Sequence, residues 1–162
     1  MIRVAILTIS DSCSKGIRDD LSGQVIVDML PDDQYQIYRK SIVPDDYQKI
    51  ARELISLSEN EKCDIIFTTG GTGLGPRDVT PEATASVSEK IVPGFSEIMR
   101  VEGFKTTPNA ILSRGLTCIR KNTLIINLPG SPRAVRESLE ILLGILPHAI
   151  EMMHGGGHQI KK

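Results

Sequence analysis

Tryptophan is absent from the 162 residues, and Phe and Tyr contribute three each. So few aromatics offer no stacking platform for single-stranded nucleic acid. An excess of charge of either sign is missing too, because 19 Lys and Arg face 20 Asp and Glu for a formal charge of -1. Nothing resembles the basic face that follows a phosphate backbone. No segment approaches the roughly 20 apolar residues that a membrane helix needs, and Val4 to Ile9 is too short for a signal core with a cleavage site behind it. A soluble, cytoplasmic protein is expected, with neither nucleic acid nor membrane as partner. Cys13, Cys63 and Cys118 are odd in number, widely spaced and free of any C-x-x-C, which argues against a disulfide framework or a zinc ribbon and for reduced, mostly buried thiols. The chain has no G-x-S-x-G elbow. His154 and His158 in "HGGGH" supply too few ligands, on too loose a backbone, for zinc.

What the chain does contain is the pattern of one wound α/β domain, a reading its length also favours. "RVAILTIS" and "CDIIFTTG" are nearly continuous apolar runs ended by small polar residues, as in parallel strands buried on both faces. Leu21, Val25, Ile26 and Met29 repeat at helical spacing, as do Tyr47, Ile50, Leu54 and Leu57, and "YQIYRKSIV" supplies a strand between them. This alternation predicts an α/β sandwich of three layers, αβα, around a mostly parallel wound sheet with right-handed crossovers. Thr80-Pro81 and Ser131-Pro132 read as helix caps followed by proline at the first helical position. "GFSEIMRVEGF" predicts a short helix ended near Gly103. Two apolar runs about Lys121-Asn122 predict a hairpin or neighbouring strands. Val135, Leu139, Leu142, Leu146, Ile150 and Met153 place one apolar stripe on a C-terminal helix that Pro147 should bend. The domain spans 1–154, with 155–162 expected as a flexible tail.

In such sheets ligands bind at the carboxyl ends of strands, beside helix N-termini with free N–H groups. Three segments should meet there: "SDSCSKG", "GGTGLGPRD" and "LPGSP". Gly70, Gly71, Gly73 and Gly75, with Thr72 among them, let a ligand approach the main chain as a phosphate cradle requires. The loop is not a Walker motif, since no Gly-Lys-Ser/Thr follows. Asp78, between this loop and a helix, could hold magnesium together with phosphate oxygens or simply favour the helix dipole. Asp45, in "VPDD", carries the same ambiguity. Ser10, Asp11 and Ser12 form a hydroxyl-rich turn suited to phosphate or to its own backbone. Arg77, Arg114 and Arg133 are candidate phosphate forks, and Gly130 and Ser131 open a helix whose N–H groups make an anion pocket.

Taken together, "TISDSCSKG", "DLSG", "TTGGTGLGPRDVTPEAT", "PGFSEIMR", "LSRG" and "LIINLPGSPRAVRE" closely resemble the molybdopterin-binding MoaB/Mog family of molybdenum cofactor biosynthesis, from Val4 to about Met153. The resemblance implies a trimer that transfers AMP from ATP to molybdopterin and releases pyrophosphate, upstream of a protein that inserts molybdate. Carried over, it makes Asp45 and Asp78 the catalytic, magnesium-holding carboxylates, with Asp46 as the neighbouring alternative to Asp45. Ser10, Asp11, Ser12, the loop Gly70 to Gly75, Ser113, Arg114, Gly130 and Ser131 then surround the nucleotide and pterin. Two other readings share the fold: a carrier that binds molybdopterin without adenylylating it, and a related domain of proteins that insert molybdate or hydrolyse nucleotide compounds. ATP turnover separates the first, and the large additional domains usual in such proteins count against the second.

Overall fold

A computed structural model describes residues 1–59 and 63–156. The strands are β1 (Ile2–Ile9), β2 (Tyr35–Val43), β3 (Ile65–Thr69), β4 (Lys90–Ile91), β5 (Thr117–Arg120) and β6 (Thr123–Leu128). They form one sheet in the order β2-β1-β3-β6-β5-β4. The β1/β2, β1/β3 and β3/β6 ladders are parallel, and β5 pairs antiparallel with both β6 and β4. The sheet is thus mostly parallel, as expected, and the hairpin about Lys121-Asn122 supplies its antiparallel part.

Alternation along the central strands explains the three layers. Val4, Ile6, Ile65, Phe67, Leu124 and Ile126 point to one face, where α2 (Leu21–Met29), α5 (Pro93–Thr106), α6 (Pro132–Leu142) and α7 (Leu146–Met153) cover them. Ala5, Leu7, Ile9, Ile66 and Ile125 point to the other, beneath α3 (Tyr47–Glu59) and α4 (Thr80–Val87). Each fully buried aliphatic or aromatic side chain contributes about 1.5–3 kcal/mol of transfer free energy, and both faces of the sheet are filled with them. No helix among the described residues is long and apolar enough to cross a membrane.

Local structure departs from expectation at four points. A single helical turn, α1 (Asp11–Ser14), follows β1 with Ser10 as its cap. Thr80 is not a cap: Val79 holds that position without a side-chain bond, and the Thr80 hydroxyl donates to the Gly70 carbonyl at 2.9 Å. The helix expected to end near Gly103 runs to Thr106 and passes into a 3-10 turn, Pro108–Leu112, because the Thr107 N–H still reaches the Gly103 carbonyl. The C-terminal helix is broken rather than bent. Leu142 ends α6, a turn carries Gly144, and Pro147 sits in the first turn of α7, where its missing N–H costs nothing. Gly155 (φ +82°) and Gly156 close α7 by bonding back to Met152 and Glu151, a Schellman arrangement. The rest of the expected tail, with His158, lies outside the described residues.

Candidate active site

Loops after β1, β2, β3 and β6 meet at the carboxyl edge of the sheet. The loop after β3 is fixed by steric necessity. Gly70 has φ +99°, and a Cβ built there would lie 2.2 Å from the Ile9 carbonyl oxygen. Gly71 has φ +67°, and its Cβ would lie 2.3 Å from Thr80 Oγ1 and 3.1 Å from Asp45 Oδ1. The backbone can therefore run against the end of β1 and under Asp45 only without side chains. Thr69 Oγ1 donates to the Pro129 carbonyl at 2.6 Å, and Ser22 Oγ of the "DLSG" segment donates to the Gly130 carbonyl at 2.6 Å. These bonds tie the glycine loop, the "LPGSP" turn and α2 into one rigid edge.

Four charged residues organise the part nearest β1 and β2. Asp11 N–H donates to Asp45 Oδ2 at 2.9 Å, and Asp45 N–H donates to Asp11 Oδ1 at 3.1 Å. Arg77 closes on Asp11 with two bonds, Nε to Oδ2 at 3.0 Å and Nη2 to Oδ1 at 2.9 Å. That fork holds the Asp11 carboxyl below the ordinary carboxylate range. Burial pushes Asp45 the other way, and the charges of Asp11 and Asp78 add to the rise. Asp46 faces elsewhere: its Oδ1 accepts the Lys49 N–H at 2.9 Å and caps α3. Asp78 Oδ2 accepts the Gly75 N–H at 2.9 Å, so this carboxylate folds back over its own loop.

A cleft of about 640 Å³ opens beside this group, bounded by the glycine loop, α5, the 3-10 turn and α6. Of the sequence-derived site residues it takes in Gly71, Thr72, Gly73, Asp78, Ser113, Gly130 and Ser131. Ser131 caps α6 as expected, its Oγ accepting the Ala134 N–H at 3.2 Å. Ser10, Asp11, Ser12 and Asp45 lie outside the cleft lining, on the β1 and β2 side of the same edge; the Ser10 and Ser12 hydroxyls bond to each other, and Ser10 Oγ accepts the Cys13 N–H.

The candidate phosphate forks are engaged within the protein. Arg77 holds Asp11, and Arg133 pairs with Glu137 at 2.9 Å. Arg114 donates from Nε to the Gly73 carbonyl at 2.8 Å, from Nη2 to the Asp78 carbonyl at 2.7 Å, and from Nη1 to Glu82. Its own N–H donates to the Thr72 carbonyl at 2.9 Å. Arg114 is thus a clamp across the glycine loop. Three residues at the cleft escaped the sequence reading: Asn127, Arg100 and Glu137. Buried Asn127 donates to Thr68 and Thr84 hydroxyls at 2.9 and 3.0 Å and accepts the Leu116 N–H at 3.2 Å. As the one polar residue inside the apolar run "LIINL", it carried a usable signal. Arg100 and Glu137 stand on helices where any charge reads as solvated surface.

Fold and site together define a wound α/β protein with main-chain amides and carboxylates gathered at one strand edge. The chain belongs to the family described as probable molybdopterin binding domains, which it matches over residues 5–148. It is 42% identical over 164 aligned positions to a molybdopterin adenylyltransferase of Helicobacter pylori, covering 99% of this chain and 93% of that one. It is also 42% identical to part of the molybdenum cofactor synthesis protein cinnamon of Drosophila melanogaster, over 94% of this chain and 26% of that one. The crystal structure of the molybdopterin biosynthesis enzyme MoaB from Thermus thermophilus superposes with a TM-score of 0.90 at 45% identity, covering 96% of this chain and 98% of that one.

Proposed function

We propose that this protein is a molybdopterin adenylyltransferase: it transfers AMP from ATP to the terminal phosphate of molybdopterin, releases pyrophosphate and so serves molybdenum cofactor biosynthesis. The observation that carries the reading is the convergence, on one cleft edge, of Asp78, the glycine-loop amides and the "LPGSP" helix start, with Asp45 alongside. Relatives bearing that enzyme's name match nearly the whole chain. The proposed setting is cytoplasmic, in a homotrimer that passes its product to a molybdate-insertion protein.

The chemistry asks for little acid or base. A phosphate monoester oxygen of molybdopterin attacks the α-phosphorus of ATP, a new P–O bond forms, and the bond to the bridging oxygen of pyrophosphate breaks. The nucleophile is already anionic at neutral pH, so positioning and charge stabilisation carry the rate. Main-chain N–H groups of the glycine loop and of Gly130 and Ser131 would hold phosphate oxygens, and Arg114 keeps that loop in shape. The donor set fits magnesium: Asp78 lies at the glycine loop, near enough for its charge to act on Asp45, and this ion is held by one or two carboxylates with phosphates and water completing its shell. Asp78 and Asp45 would hold it, and it would supply neutralisation of the phosphate charge. Burial raises Asp45 most, and the charges of Asp11 and Asp78 add to it; such a cation would offset that cost of keeping Asp45 ionised.

Pyrophosphate release from ATP and magnesium, with and without molybdopterin, tests the reading. Wild-type protein should release pyrophosphate only with molybdopterin, and Asp78→Asn should lower kcat by about 100-fold or more. Folded wild-type protein that binds molybdopterin and leaves ATP intact would instead be a carrier.

A further inference from the structure

The cleft runs away from the sheet edge between two helical walls. Met99 of α5 and Leu112 of the 3-10 turn line one side, and Ala134 and Ile141 of α6 line the other. Gly103 keeps the first wall flat, since a Cβ there would lie 2.9 Å from the Ala110 Cβ. A slot with small and aliphatic walls suits a flat heterocycle, with its phosphate at the glycine loop. Among the described residues only two carboxylates line this cleft: Asp78 at the loop end, and Glu137. Glu137 follows Ser131 by six positions on α6, roughly 9 Å along the helix axis, where the ring system of such a ligand would end.

We propose that Glu137 is a specificity-determining residue that exchanges Arg133 for the 2-amino and N3–H edge of the pterin. The inference rests on the adenylyltransferase reading and adds to it the group that tells a pterin from other flat rings. The chemistry of the site favours it. An ionised carboxylate only accepts, and the pyrimidine edge of a pterin presents two parallel N–H donors, the fork that a guanidinium also presents. A guanidinium occupies Glu137 now: Arg133 Nε donates to Glu137 Oε1 at 2.9 Å. The Arg133 side chain is 70% exposed and that of Glu137 31%, and an exposed pair four residues apart on a helix contributes little, so a ligand fork displaces it readily. Once bound under a ring that excludes water, the same carboxylate discriminates strongly, because a ligand lacking the donors leaves it buried and unpaired.

The test compares wild type, Glu137→Gln and Arg133→Ala. Each is assayed for the molybdopterin Kd, for kcat and KM with ATP and magnesium, and for competition by 6-carboxypterin and its 2-oxo counterpart 6-carboxylumazine. Thermal midpoints establish that the variants are folded. Glu137→Gln should weaken molybdopterin binding about 10- to 100-fold, raise its KM, leave the KM for ATP unchanged and erase a wild-type preference for the 2-amino ring. Arg133→Ala keeps the carboxylate and should keep the preference. A wild-type protein with no preference between the two rings, or Glu137→Gln binding molybdopterin within twofold of wild type, overturns the assignment of Glu137 alone. Wild-type protein that neither binds molybdopterin nor turns ATP over sinks the adenylyltransferase reading, and this inference with it.

Discussion

Asp46 Oδ1 accepts the Lys49 N–H, whereas the adjoining Asp45 carboxylate turns back to the Asp11 N–H at the sheet edge. The two should therefore fail in opposite ways when replaced. Asp46→Ala removes a helix cap and should cost about 1 kcal/mol in urea unfolding while leaving pyrophosphate release near the wild-type rate. Asp45→Ala should abolish turnover while the unfolding midpoint changes far less. If Asp46→Ala instead stopped the reaction without loss of stability, the roles would be reversed. The adjacent carboxylates were legible in "VPDD", but their division of labour was not, because it depends on which of them follows the turn out of β2. Arg114 is a parallel case. Its charge and place in "LSRG" fitted a phosphate fork, and only the folded loop brings the Gly73 and Asp78 carbonyls within its reach.

At the scale of elements, the glycine loop is stiff by exclusion. Gly70→Ala would put a methyl group into the Ile9 backbone at a left-handed φ, and should cost at least about 2 kcal/mol in denaturant unfolding. Gly94→Ala is the control, since a Cβ in that first turn of α5 meets nothing within 4 Å; it should leave stability unchanged or raise it by up to about 1 kcal/mol. Equal losses in the two variants would mean that close approach to β1 is not what constrains the loop. The strands that carry this loop were readable from their unbroken apolar runs. So were the Ser131 cap and the hairpin about Lys121-Asn122. The start of α4 was misread because Thr80-Pro81 has the composition of a cap, whereas tertiary contact with Gly70 recruits the hydroxyl and leaves Val79 at the boundary. The pairing order of the strands, which sets the three segments side by side, has no local signature.

For the whole molecule, the thiols report how complete the packing is. Cys63 and Cys118 are buried, and desolvation pushes the Cys118 thiol up to about 11. Cys13 sits half-exposed on α1. A disulfide reagent at pH 8 should label one thiol per native chain rapidly and all three after denaturation. Fast native labelling of two or three would mean that the core beneath α3 and α4 opens readily. The sheet order bears also on how the chain is made. Val4 pairs beside Ile65, Ile65 beside Leu124, and the outermost of these strands completes its ladder only at Leu128. A growing polypeptide emerging from the ribosome can pair β1 with β2 and β3 once Thr69 has appeared, but the centre of the sheet is still open beyond β3. Until β6 follows, β3 keeps an unpaired edge beside an apolar face, and that interval is when chaperone protection would matter most.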